Sequence, residues 1–112
     1  MIVVTTPEIA GRRVTRTLGL VRGNTIRARH FGRDILALLK GIVGGEIEDY
    51  TKMMAEAREQ ALDRMVEDAR TLGADAIVST RFATMEVMKG AAEILIYGTA
   101  VITEALPAPP PE

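Results

Sequence analysis

The side chains able to do chemistry in this chain are few. His30 is the only imidazole and cysteine is absent, so one chain cannot assemble a structural zinc site, and disulfides, thiolate metal sites and cysteine nucleophiles are excluded together. The remaining soft donors are thioethers, including Met53, Met54, Met85 and Met88. Methionine at helical spacing is ordinarily core filler, so no metal ligand is assigned and no cofactor is expected. Glu56, Glu59, Asp63 and Glu67 recur at intervals of three and four, which places them on one helix face. Such a face could hold a hard cation, and a solvated face with local ion pairs has the same spacing.

Phosphate chemistry and nucleophilic catalysis fit no better. Gly41-Ile42-Val43-Gly44-Gly45 matches neither the dinucleotide nor the P-loop spacing, and Glu46, Glu48 and Asp49 just beyond it would repel a phosphate from the helix start. Ser79, the only serine, stands in Ile77-Val78-Ser79-Thr80, a strand context and not a strand-turn-helix elbow. Catalysis would therefore need carboxylates or residues of different subunits. Arg33-Asp34 is the most informative polar pair, because it follows the glycine break at Gly32 and precedes an apolar segment. It reads as a ligand clamp at a subunit boundary or as a helix cap beside a surface arginine. Arg33, Asp34 and Tyr50 are the candidate ligand-binding residues.

These residues must be positioned by a small set of elements. Ile47, Tyr50, Met54, Ala57, Ala61, Leu62, Met65, Val66, Ala69 and Leu72 recur at spacings of three and four, which predicts a helix over 46–72 with one apolar stripe. Gly73 is placed to end it in the left-handed conformation. At roughly 1.5 Å per residue, 27 residues span about 40 Å, a length that needs a sheet to lie on. Ile2 to Thr5 reads as a short strand and Arg12 to Arg29 as a longer one. Gly19 marks a bulge or bend there, and Arg22-Gly23-Asn24 marks a second bend or a hairpin turn. Ile35 to Val43 fits a short helix begun near Asp34. Ala76 to Thr84 and Ala92 to Thr103 are further strands, joined by a turn around Lys89-Gly90.

The last strand is nearly continuously apolar, which implies that both of its faces are buried. One helix covers one face of a sheet. The second layer has to come from elsewhere, and in so short a chain the cheapest source is another copy of the same chain. Residues 1–105 read as a single domain, followed by a proline-rich tail, 106–112.

Composition narrows the function classes. With 112 residues, 47% hydrophobic and 26% charged, the chain is long enough to own a core and ordinary enough to exclude disorder. Aromatics make up only 4%, leaving little surface for stacking on bases. The net charge of -1 hides an asymmetry, since residues 1–40 carry +6 and residues 41–112 carry -7. Basic strands facing acidic helices of the same or a neighbouring chain account for this better than nucleic acid does. The N-terminus lacks the pattern of a signal peptide and no apolar run approaches the roughly 18 residues of a span, so no membrane association and a cytoplasmic location are expected.

Thr5-Thr6-Pro7, Gly11, Leu18-Gly19, Val21-Arg22-Gly23, Arg33-Asp34, Val43-Gly44-Gly45, Tyr50, Ala57-Arg58, Leu72-Gly73-Ala74-Asp75-Ala76-Ile77-Val78 and Gly98-Thr99-Ala100-Val101 together resemble the YbjQ-like family. The resemblance spans residues 1 to about 104. It implies an α+β subunit of the dodecin type, with an antiparallel sheet, one long helix on one face and a short helix, assembling into a homo-oligomeric ring, a pentamer. The family also carries a heavy-metal-binding label, which a chain with no cysteine and one histidine does not support chemically. The leading expectation is a non-catalytic oligomer that binds a small ligand or partner at its subunit interfaces. An enzyme with an intersubunit site and a carboxylate metal binder are the alternatives.

Overall fold

The computed structural model describes residues 1–28 and 44–108, with helix side chains described from residue 51 onward. The expected short helix over 35–43 therefore lies outside the described residues. Strand β1 (Ile2–Val3), strand β2 (Arg12–Ala28), helix α1 (Gly44–Thr71), strand β3 (Ala76–Met88) and strand β4 (Ala91–Ala105) follow in chain order. The four strands form one sheet in the order β1-β3-β4-β2. Its three long strands are antiparallel, as expected from the sequence, and β1 adds a parallel edge beside β3. The sheet as a whole is thus mixed. Because β2 and β3 both run antiparallel to β4, they point the same way, and α1 is the crossover between them.

The helix forms where its stripe predicts and stops for a local reason. Gly73 takes φ +82°, the Gly73 N–H donates to Arg70 O at 2.9 Å, and the Ala74 N–H donates to Ala69 O at 3.1 Å. This pair of bonds is the Schellman closure, and it satisfies carbonyls that the helix end would leave unpaired. Met54, Ala57, Ala61, Met65 and Ala69 face the sheet and are buried. Leu72, placed on the stripe by its spacing, is exposed. It lies past the last helical turn, where the period no longer applies.

The covered face of the sheet supplies Val21, Thr25, Ile77, Ile94, Ile96 and Ala100. Val21, Ile77, Ile94 and Ile96 are almost wholly removed from water, each worth roughly 1.5–3 kcal/mol by area. Small residues set the spacing of the two layers. The helix meets β2 through Ala57 and Ala61, and the strand meets it through Gly23, where an added Cβ would lie inside the Ala61 carbonyl oxygen and 2.6 Å from the Met65 nitrogen. Neither alternative for Arg22-Gly23-Asn24 is therefore realised. The strand runs straight through Gly23, and glycine is needed there for close approach. Gly19, by contrast, is the bulge its position suggested, with φ +123° and a register shift against β4.

On the opposite face Ala76, Val78 and Val101 pack under Ile2, Val4 and Ile9, because the segment after β1 crosses the sheet to reach β2 at its far edge. The rest of that face has no cover among the described residues. Leu20, Ile26, Met85 and Tyr97 are exposed, so within one chain β4 is buried on its helix face and only partly on the other. The molecule is elongated, with a radius of gyration of 19.3 Å against about 13 Å for a compact chain of this length.

Candidate functional site

The best-built polar cluster lies where the chain leaves the helix and enters β3. Asp75 sits two residues beyond the glycine that closes α1, and its backbone and side chain together tie three strands. The Ile2 N–H donates to Asp75 O at 3.2 Å and the Asp75 N–H donates to Val101 O at 3.2 Å. The carboxylate accepts from the Thr103 N–H at 3.0 Å and from Thr103 Oγ1 at 3.2 Å. Arg12 completes the group, with Nε donating to Thr103 Oγ1 at 2.7 Å and Nη2 3.7 Å from Asp75 Oδ2. The Asp75 side chain thus extends the ladder between β3 and β4 by one step and balances the charge of the first residue of β2.

Asp75→Ala removes the acceptor of the Thr103 amide. Its side chain is 43% exposed, so water replaces part of what is lost, and the expected cost is about 1 kcal/mol. Faster hydrogen exchange confined to the Thr103 amide and its neighbours is the accompanying signature. Unchanged exchange there would show that the carboxylate does not hold the strand.

Beside this cluster opens a groove of about 870 Å³, with Thr6, Pro7, Ile9, Arg12, Val14 and Leu106 among its walls. Its loop is pinned at both ends. The Arg12 N–H donates to Ile9 O at 3.1 Å, and the Leu106 N–H donates to Gly11 O at 2.9 Å. Arg12 faces Asp75, and Arg13 forms an ion pair with Glu104, so the groove carries no unbalanced cation at its floor. Its lining sets apolar Pro7, Ile9, Val14 and Leu106 beside the Thr6 and Thr103 hydroxyls and the Glu8 carboxylate, and Thr6 Oγ1 donates to the Glu8 carbonyl at 2.6 Å. It suits binding.

Ser79 is a strand residue, as its context predicts, but an unusual one. Its φ is +54° and the register of β3 against β4 shifts between Val78 and Arg81, the signature of a bulge. The turned backbone lets the Ser79 N–H donate to Thr6 O at 2.9 Å and the Thr80 N–H to Val4 O at 3.1 Å. Arg81 Nη1 then reaches Thr5 O at 2.8 Å. Thr80 Oγ1, buried next to Gly98, has no hydrogen-bond partner among the described residues. The bulge thus fastens the N-terminal segment across the sheet.

Of the residues singled out from the sequence, Arg33, Asp34 and His30 lie outside the described residues, and Tyr50 belongs to α1 by its backbone. The grouping of Arg33, Asp34 and Tyr50 expected from the sequence therefore lies outside the described residues. The Arg12–Asp75–Thr103 cluster was missed because its members are up to 91 positions apart; only Asp75, placed just after the helix-closing glycine, carries a local signal. Among the described residues no three histidine, aspartate or glutamate side chains converge on one point, and no helix is long and apolar enough to cross a membrane.

Residues 1–104 match a family model, YbjQ, whose description reads "Putative heavy-metal-binding". A UPF0145 protein of Methanosarcina acetivorans is 59% identical over 101 residues, covering 90% of this chain and 95% of its own. A UPF0145 protein of Dehalococcoides mccartyi is 56% identical over 104 residues, covering 93% and 100%. Among solved structures, a protein of unknown function of the DUF74 family from Pediococcus pentosaceus superposes with a TM-score of 0.62 at 18% identity, covering 93% of this chain and 98% of that one. That likeness extends to the fold.

Proposed function

The chain belongs to the YbjQ family, and from that footing we propose that it works as a homo-oligomeric ring, a pentamer of dodecin-like subunits, that binds a small ligand between subunits without catalysing a reaction. The observation that carries this reading is the sheet face left without cover among the described residues. Leu20, Met85 and Ile26 are 67%, 60% and 56% exposed there, beside Tyr97 and Leu95, and a monomer seldom leaves such a surface to water. A second copy supplies the missing layer. Residues 1–105 act as one unit in this assembly, 106–112 form an appended tail, and the location is the cytoplasm. Arg33, Asp34 and Tyr50 are the proposed ligand contacts, and their guanidinium, carboxylate and phenol suit a small polar molecule.

The family's metal label fares differently. A soft heavy metal selects thiolate or clustered imidazole donors, and this chain has no cysteine and a single histidine. The residues do not fit such a metal.

Light scattering tests the assembly. The expected mass is about five times that of the 12.1 kDa chain, and a monomer at micromolar concentration would reject the proposal. Leu20→Glu places a charge in the middle of the buried layer and is expected to return the assembly to single chains that keep their circular dichroism spectrum. Native mass spectrometry of protein taken directly from cell extract, where a bound molecule appears as added mass on the oligomer, tests the ligand; an empty oligomer rejects that part.

A further inference from the structure

The sheet is bounded on one side by β2 and on the other, past the two residues of β1, by β3, and each of these strands is protected along only part of its length. Backbone N–H and C=O groups on an outer strand form a template for another strand, and natural sheets block or pair them. On β2 the block is built by the helix. The Arg22 N–H donates to Asp68 Oδ2 at 3.3 Å, and Arg64 Nη1 donates to Asn24 O at 2.6 Å. Gln60 Oε1 accepts from Arg27 beyond them. Gln60, Arg64 and Asp68 are successive turns of α1, so one row of helix side chains stands in for a neighbouring strand along this half of β2.

On β3 the block is built by the N-terminal segment, through the bonds of Ser79 and Thr80 to Thr6 and Val4. Each protection stops midway. Among the described residues, 13–20 of β2 have no such cover on their outer side and 81–88 of β3 have none. Residues 81–88 are exposed along their whole length and include Phe82, Met85, Val87 and Met88, the kind of edge that invites pairing.

We infer that residues 81–88 of β3 in one copy pair as a strand with residues 13–20 of β2 in the next copy. This rests on the assembly proposed above and adds an edge-to-edge contact to the face contact argued there. The two open segments are the same length, and they lie on opposite edges of one sheet. Joining one edge to the other pairs both open segments of every subunit, whereas pairing β3 with β3 would leave both β2 segments bare. A joint between unlike edges is also head-to-tail, the kind that closes into a ring. Charge agrees, since Arg16 projects from one segment and Glu86 from the other, and opposite charges on neighbouring strands are favourable.

The absence of cysteine from the chain makes the test free of background. Thr84→Cys or Glu86→Cys on β3 is combined with Arg16→Cys or Leu18→Cys on β2, four double variants whose positions lie on the helix side of the sheet and differ in register. Neighbouring strands bring Cα atoms within disulfide range, about 4.5–5.5 Å. Under mild oxidation at least one double variant is expected to run on a denaturing gel as a ladder of linked chains, while the four single variants stay monomeric. Linked dimers from a β3 single variant would overturn the head-to-tail pairing. No ladder from any double variant that light scattering shows to be assembled would overturn the joint and leave the ring intact; a monomeric mass for the native chain would remove both. Hydrogen exchange of the native protein supplies a second reading that needs no substitution. The outward amides of 81–88 and 13–20 are expected to be protected in the assembly, and rapid exchange in either segment overturns the pairing.

Discussion

Gly23→Ala is expected to destabilise the protein by about 3 kcal/mol or more, a large effect for one methyl group. Gly23 does not sit in the left-handed region, so the cost comes from packing and not from backbone strain. The new Cβ would overlap the Ala61 carbonyl oxygen, lie 2.6 Å from the Met65 nitrogen and lie 3.0 Å from Arg64 Cβ. Two of these three are helix backbone, which no rotamer change can move, so the helix itself must lift from β2. Gly98→Ala is the informative comparison. There the nearest atoms are Ile77 Cγ2 at 2.7 Å, the Val78 carbonyl oxygen at 3.0 Å and Thr80 Oγ1 at 3.1 Å, a milder overlap than at Gly23, and the expected cost is about 1–2 kcal/mol. Thermal unfolding at one fixed protein concentration separates the two, because each kcal/mol moves the midpoint by roughly 4–8 °C in a domain near this size. Equal midpoints for the two variants would show that the helix does not approach β2 as closely as described.

Gly23 also shows where sequence reading reaches its limit. A glycine inside a strand pattern signals that a side chain is unwelcome, but the reason can be local or distant. Here it is the helix backbone at Ala61, nearly forty positions away, so a bend or hairpin turn was the natural reading and neither was right. Features whose cause is local were legible. The stripe from Met54 to Ala69 marks the buried side of α1, Gly73 closes it, and Gly90 turns β3 into β4 with φ +80°. The strand ends were less so, since β3 continues to Met88 past the expected Thr84, through an apolar stretch without clean alternation. The bulge at Ser79 has no glycine or asparagine to announce it. It exists because Thr6 and Val4, from the other end of the sequence, claim its amides. For the candidate site the same division holds: the Asp75 cluster and the capping of β2 by Arg64 and Asp68 depend on pairings between elements, which spacing along one element does not encode.

Met65→Ala is the second substitution expected to cost most, about 2–5 kcal/mol. Among the described residues Met65 is the largest of the fully buried side chains and shows no exposed surface, sitting in the core with Ala61, Val21, Ile94 and Ile96. Truncation removes its transfer free energy and leaves a cavity that rigid neighbours on a sheet cannot close. Combined with Gly23→Ala it distinguishes two physical pictures. If the overlap at position 23 is with helix backbone, removing the Met65 side chain provides no relief, and the double variant is less stable than either single variant. The loss is nonetheless expected to fall short of the sum by about 1 kcal/mol, because a helix already lifted from β2 holds Met65 less tightly. Urea unfolding of the four proteins in the cycle measures this coupling, with the slope checked for constancy. A double variant more stable than Gly23→Ala alone would mean that the methionine side chain, and not the helix backbone, fills the space above Gly23.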